Sequence, residues 1–300
     1  MNQTEIRYKA NSLSVTPEEA DCLLERVNNS LSSNSFDPND HQTIALMVEA
    51  LGDERGMMRL KFAQRLAMVG KPAVPFLLEA LSNHPNPVVR RAAAKTLTLI
   101  APPEAVPQLI HSLLHDEDTV VKGSCVGALA EIGEESVPEL LRIIATERDE
   151  TIKGHAAWAL AFIGSRAKNY LYQAMASDSV DVRCAVVGVL GSLVQENEDE
   201  EALQLLFTSL HDPSPVIRCE AAAILGKIHH PQVASHLIPC LGDQEAEVRK
   251  AIALALMKVG DPSTIPLLQQ ALERETDKSL KPIFQLALNQ LQRNWAKDSG

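Results

Sequence analysis

The chain has 300 residues, 45% of them hydrophobic but only 4% aromatic. That suffices for a core of Leu, Ala, Val and Ile, which suits helices packed closely through small side chains. A formal net charge of −11 removes the phosphate-neutralising term that dominates nucleic-acid binding and argues against a polybasic membrane anchor.

Residues 1–40 stand apart from the rest of the chain. Their polar start predicts no secretory signal. Thr16-Pro17-Glu18-Glu19 predicts a helix start, with Thr as N-cap, Pro in the first turn and Glu19 closing a capping box. That helix is expected to end near Val27, and the polar run 28–35 to be a linker. The segment reads as a cap or tether, succeeded by a repeat array over 41–294 and a short tail, 295–300.

From residue 41 one pattern recurs: an acidic residue, an aliphatic residue, Arg or Lys, then an Ala-rich helix ending near Gly. Anchored on the basic residue, the series is Arg59, Arg90, Lys122, Lys153, Arg183, Arg218, Arg249 and a degraded copy at Lys281, with successive differences of 31, 32, 31, 30, 35, 31 and 32. A period near thirty with two helical stretches per unit predicts an all-α, right-handed α-solenoid of about eight helical-hairpin repeats. The longest interval holds the acidic run Gln195–Glu201, expected as a longer surface turn. First helices carry an early proline (Pro75, Pro107, Pro138, Pro266), where a missing N–H costs no helical bond. An acidic residue commonly stands six before the anchor (Asp53, Asp116, Glu147, Asp212, Asp243). It can cap the second helix and meet the basic residue of its own or the next repeat, forming a ladder along the stack.

Counting from the anchor, positions −1, +3, +4, +7 and +10 are almost always apolar, as in Val89, Ala93, Ala94, Leu97 and Ile100. At about 100° per residue they share one helix side. Positions +1, +2, +5 and +9 fall opposite and are expected on the exposed, concave surface. In the central copies these are Gly123, Ser124, Gly127 and Glu131; then Gly154, His155, Trp158 and Phe162; then Cys184, Ala185, Gly188 and Ser192. An aromatic island on a floor of small residues is a candidate binding face, because glycine inside a helix costs about 1 kcal/mol relative to alanine and Trp is a common interface anchor. Arg90, Lys122, Lys153 and Arg183 would form its basic rim, unless they are spent in the ladder. The alternative is that the glycines admit neighbouring helices and Trp158 fills a gap between repeats.

Lys153-Gly-His-Ala-Ala-Trp-Ala-Leu-Ala-Phe-Ile-Gly164, with Lys122-Gly-Ser-Cys-Val-Gly-Ala-Leu-Ala-Glu-Ile-Gly133, resembles the short, Ala-rich HEAT repeat of the cyanobacterial E/F-type phycobilin lyases and of the phycobilisome-degradation and chaperone-like proteins related to them. The resemblance spans roughly residues 41–291. It implies a role in phycobilisome biogenesis or turnover with phycobiliprotein subunits as partners; the polar start and dispersed cysteines predict that this role is cytoplasmic. The first reading is a non-enzymatic, chaperone-like scaffold with no cofactor. The rival is a bilin lyase or lyase-isomerase, with Trp158 and Phe162 stacked on the phycobilin, basic residues on its propionates and His155 or Glu131 moving a proton. A regulator of iron–sulfur or other cofactor assembly is a third.

Cys22, Cys125, Cys184, Cys219 and Cys240 are dispersed with no C-x-x-C spacing and are expected as reduced thiols. Cys184 and Cys219 each come directly after an anchor arginine, a placement that would activate an exposed thiol; the plainer expectation is small residues at a crowded interface. His229, His230, His236 and Cys240 form a cluster in which the i, i+4 pair is spaced for a shared metal; surface polar residues and a buried thiol are the alternative, and no metal is expected.

Overall fold

In the computed structural model, residues 15–298 are described; the start of the N-terminal segment and the last two residues of the tail lie outside that range. Among the described residues the regular structure is α-helix and short 3-10 turns, with no strand. The chain folds as two compact units, one ending at Ile163 and the other beginning at Gly164.

The first unit opens with α1 (Pro17–Ser32). The capping box forms as expected, with the Thr16 N–H donating to Glu19 Oε2 (2.9 Å) and the Glu19 N–H donating to Thr16 Oγ1 (3.3 Å). The helix continues past Val27 into the run expected as a linker, ending at Ser32. Its buried stripe of Ala20, Leu23, Leu24 and Val27 adds packing energy that the polar composition of the last turn does not reveal. Hairpins come next along the chain: α2 (His41–Glu49) with α3 (Gly56–Val69), α4 (Val74–Asn83) with α5 (Pro87–Ile100), α6 (Val106–His115) with α7 (Thr119–Ile132), and α8 (Val137–Thr146) with α9 (Glu150–Ile163). The second helices α3, α5, α7 and α9 pack side by side in that order.

The second unit repeats the plan with α10 (Lys168–Ala174), α11 (Val180–Asn197), α12 (Glu200–Ser209), α13 (Pro215–Leu225), α14 (Val233–Leu237), α15 (Ala246–Val259), α16 (Ile265–Arg274) and α17 (Lys281–Asp298). Here α11, α13, α15 and α17 are successive neighbours. The acidic insertion is not a loop. Residues 195–197 extend α11, Glu198 closes it in the left-handed region (φ 52°), and the Asp199 carboxylate accepts from the Glu201 and Ala202 amides to start α12. Glutamates are good helix formers, and an Asp N-cap removes the need for a long turn.

Local chemistry explains the repeated punctuation. Asn86 and Asp118 accept from the first free amides of α5 and α7, which otherwise lack helical partners. Gly133 and Gly260 close α7 and α15 at φ 87° and 77°, a conformation open to glycine without a Cβ clash. The apolar phase read from the pattern is the buried one: Val89, Ala93, Ala94 and Leu97 on α5, and Ile217, Ala221, Ala222 and Leu225 on α13, are buried.

The ladder is present. Arg90 Nε and Nη2 donate to the two oxygens of Asp116 at 2.8 and 3.0 Å, while Nη1 donates to the carbonyls of His84 and Pro85 in its own turn. Arg183 with Asp212, Arg218 with Asp243 and Arg249 with Glu275 repeat this fork. Glu275, six before Lys281, obeys the same rule as the acids read from the sequence, although the degraded last copy hides it there. Each arginine ties its own turn to the next hairpin through a bidentate, charge-assisted pair.

Candidate functional site

The open face of the first unit is a grid set by the repeat. Relative to each anchor, the outward +1, +5 and +9 positions are Leu60, Gln64 and Met68 on α3; Arg91, Lys95 and Leu99 on α5; Gly123, Gly127 and Glu131 on α7; and Gly154, Trp158 and Phe162 on α9. Trp158 and Phe162 are 53% and 51% exposed. Their rings stack on each other, centroids 5.6 Å apart and planes 26° from parallel. An i, i+4 pair on one helix face is spaced for that contact. Trp158 therefore does not fill a gap between repeats.

The glycines separate into two kinds. At Gly123, Gly127, Gly154 and Gly188 a Cβ would meet no atom within 4 Å. At Gly191 it would meet Ile224 Cγ2 at 2.6 Å, and at Gly226 the Ala255 Cα at 2.8 Å. Gly191 and Gly226 thus allow helices to pack. Gly123, Gly127 and Gly154 instead leave a shallow hollow across α7 and α9, and packing within the unit gives no reason for them.

Several expected members sit differently. His155 is half-buried rather than on the open surface, and its Nδ1 is buried without a hydrogen-bond partner. Ser124 is buried too, donating to the Val120 carbonyl at 2.7 Å. On α7 and α9, then, position +2 is covered or half-covered, and there the open face is narrower than the sequence suggested. Glu131 is exposed at the end of α7. Cys184 and Gly188 are carried by α11 in the second unit, the thiol half-buried and the glycine exposed.

The basic rim is mostly used elsewhere. Arg90 and Arg183 are consumed by rungs to Asp116 and Asp212. Lys122 donates to the Leu114 carbonyl at 3.3 Å and Lys153 pairs with Glu150 at 3.0 Å. Arg91, which the repeat pattern does not single out, forks onto Asp118. Asp118 also caps α7, and the Arg91 guanidinium together with those amides holds its carboxyl well below the usual range.

Cys184 and Cys219 are not activated by their anchor arginines. Burial pushes Cys184 and Cys219 up, and for Cys219 it outweighs the adjacent Arg218 guanidinium. Burial also raises Cys240, and takes Cys125 to about 12. Among the described residues no group of three or more His, Cys, Asp or Glu is placed to hold a metal. His236 stacks flat on Phe207 at 3.7 Å, and Cys240 Sγ lies 3.6 Å from the His236 carbonyl. In the second unit, a groove of about 470 Å³ is walled partly by the Arg249–Glu275 rung, and one of about 430 Å³ by the α11–α12 turn. Neither is lined by Trp, Phe or Tyr.

HEAT repeats are recognised over residues 74–161, 137–212 and 203–289. The chain belongs to the HEAT-repeat family. It is 38% identical over 282 residues to the bilin biosynthesis protein MpeU of Synechococcus sp. (strain WH8020), covering 93% of this chain and 95% of that protein. It therefore stands with MpeU among the phycobilin-lyase-like HEAT proteins. Among solved structures it is similar to the karyopherin Kap121p bound to the C-terminus of the phosphatase Cdc14p, at 12% identity and a TM-score of 0.55, over 94% of this chain and 38% of that one. It also matches the CpcE–CpcF complex of phycocyanin lyase from Nostoc sp. PCC7120, at 18% identity and a TM-score of 0.32, over 83% of this chain and 94% of that one. Among the described residues no helix is long and apolar enough to cross a membrane.

Proposed function

We propose that this HEAT protein acts in bilin attachment, as a lyase or lyase-isomerase that holds an open-chain tetrapyrrole against a phycobiliprotein subunit and presents it to a cysteine of that subunit. The observation that carries the reading is the end-to-end relationship to a bilin biosynthesis protein. The geometry supports it: a stacked, exposed Trp158–Phe162 pair beside a glycine hollow is a flat apolar bed for a conjugated ring system. Addition of a thiol across the bilin's exocyclic double bond forms one C–S bond and passes the thiol proton to the neighbouring carbon, so no oxidant or reductant is required. Burial raises the buried Cys125 and Cys240 thiols and the half-buried Cys184 and Cys219 thiols, which fits a nucleophile supplied by the partner. The scaffold reading draws on the repeat architecture and the exposed aromatic pair, whereas the bilin reading draws also on the end-to-end match to MpeU.

The test is co-production of the full chain with a phycobilin source and phycobiliprotein subunits in a bacterial host. Covalent bilin on the subunit is read by zinc-enhanced fluorescence in denaturing gels. We expect wild type to label at least one subunit, and Trp158→Ala to lower labelling about thirtyfold, the loss of an interface anchor worth roughly 2 kcal/mol, with an unchanged unfolding midpoint because Trp158 is exposed. Capture of the unlabelled subunit without any bilin transfer would return the scaffold reading, and neither capture nor transfer would reject both.

A further inference from the structure

We infer that the glycine hollow of α7 and α9 takes a flat conjugated ligand that carries a carboxylate, and that Lys95 on α5 is the residue that receives that carboxylate. The inference rests on the bilin reading for the ligand class and on the grid for the residue. Lys95, Gly127 and Trp158 all occupy position +5 of successive repeats, on helices that pack in the order α5, α7, α9. A cation, an empty site and an aromatic ring therefore stand in line, about 8–10 Å apart from axis to axis. A ligand lying over Gly127 has the indole on one flank and an ammonium on the other.

Among the cations of α5, α7 and α9, Lys95 is also the one left over. Arg91 is forked onto Asp118 and Arg90 onto Asp116. Lys122 is bonded to the Leu114 carbonyl and Lys153 to Glu150. Among the described residues Lys95 has neither a hydrogen bond nor an ion pair, and it is exposed. In a chain of net charge −11, an unpartnered lysine facing a hollow is a local anion site within an otherwise acid-biased surface. A lysine holds a carboxylate as a point charge without demanding bidentate geometry, which suits a propionate on a flexible arm.

The test uses the purified full chain and two probes, biliverdin and its dimethyl ester, titrated by visible absorbance. Wild type is expected to bind the acid more tightly than the ester. Lys95→Gln should weaken acid binding about tenfold, as for loss of one charge-assisted contact, and leave ester binding unchanged; Lys95→Arg should restore the preference. Gly127→Leu, which fills the hollow, should weaken both probes. If wild type binds acid and ester equally, or if its preference survives Lys95→Gln, the Lys95 assignment falls while the bilin reading stands. If wild type binds neither probe, the hollow is not a bilin site and both fall. Lys95 is exposed and makes no internal bond, so an unchanged circular dichroism spectrum separates any loss from misfolding.

Discussion

At Gly123 and Gly226 the same residue type answers opposite demands. The Gly123 Cα faces open space on α7, whereas at Gly226 an added Cβ would stand 2.8 Å from the Ala255 Cα. Gly123→Ala should therefore raise stability by about 1 kcal/mol, the intrinsic helix penalty of glycine. Gly226→Ala should lower it by about 1–3 kcal/mol, because helix backbone must move to admit the methyl group. Urea unfolding midpoints of the two variants check both signs. A Gly123→Ala variant that unfolds earlier than wild type would show that the open face is closed by contacts in solution. On the open side of α7, Gly123 thus carries a helix-propensity cost that packing within the unit does not offset. Trp158 obeys the same logic, since packing within its unit leaves the indole 53% exposed.

At the level of the helix pair, the anchor arginine is the joint between hairpins. Its Nη1 satisfies carbonyls of its own turn while Nε and Nη2 reach the next acid, so one side chain closes two sets of polar groups. Burial alone would raise the Asp116, Asp212 and Asp243 carboxyls, but the facing guanidinium and a backbone amide hold them low. In the first unit this joint is absent between α7 and the α8–α9 turn, where the anchor is Lys122. The Lys122 ammonium, a point charge without a guanidinium's fixed fork, donates to the Leu114 carbonyl, and Glu147 is left without a rung. The helices that carry the hollow and the aromatic pair are thus joined without a fork, as α3 and α5 are too. Lys122→Arg should add the rung to Glu147, which lies 25 residues on, as Asp243 does from Arg218. The expected outcome is a gain of about 1 kcal/mol, visible as a higher melting temperature. An unchanged melting temperature would mean that Glu147 does not come within reach.

Over the whole molecule the rungs couple stability to pH. The Arg249 guanidinium and the Asp277 amide hold the Glu275 carboxyl down to about 2, against an ordinary value of 4.5, and Asp116, Asp212 and Asp243 are lowered in the same direction. A carboxyl whose folded pKa is depressed contributes stability that is complete above its unfolded pKa and is lost as pH falls toward the folded one. The unfolding midpoint should accordingly hold from neutral pH to about 4.5, then decline toward pH 2. Glu275→Gln should lower stability at pH 7 by about 2 kcal/mol, since Arg249 is left half-buried without its acid, and should flatten the decline below pH 4.5. Urea titrations of wild type and variant at pH 7, 4 and 3 measure both effects; parallel curves would show that Glu275 is not a titrating rung.

The array itself was legible in the residues, because a helix that must bury one side writes its period into the sequence. Anchors about thirty-one apart, prolines in first turns and acids six before each anchor specify hairpins and rungs without reference to neighbours. Glu275 obeys that rule and is obscured only because the last copy is degraded. Local pattern did not determine what stands beside each helix. Gly127 and Gly226 are indistinguishable as letters, and only the adjacent Ala255 makes one of them a packing residue. His155 differs from Trp158 by three positions and a rotation of about 60°, enough to turn it from solvent toward a neighbouring helix. Lys95 carries no motif; it is a candidate because the other cations on its face are already bonded. Period and capping are properties of one segment and its own backbone. Exposure, pairing and the availability of a charge are properties of two or more segments at once, and the tertiary structure decided those.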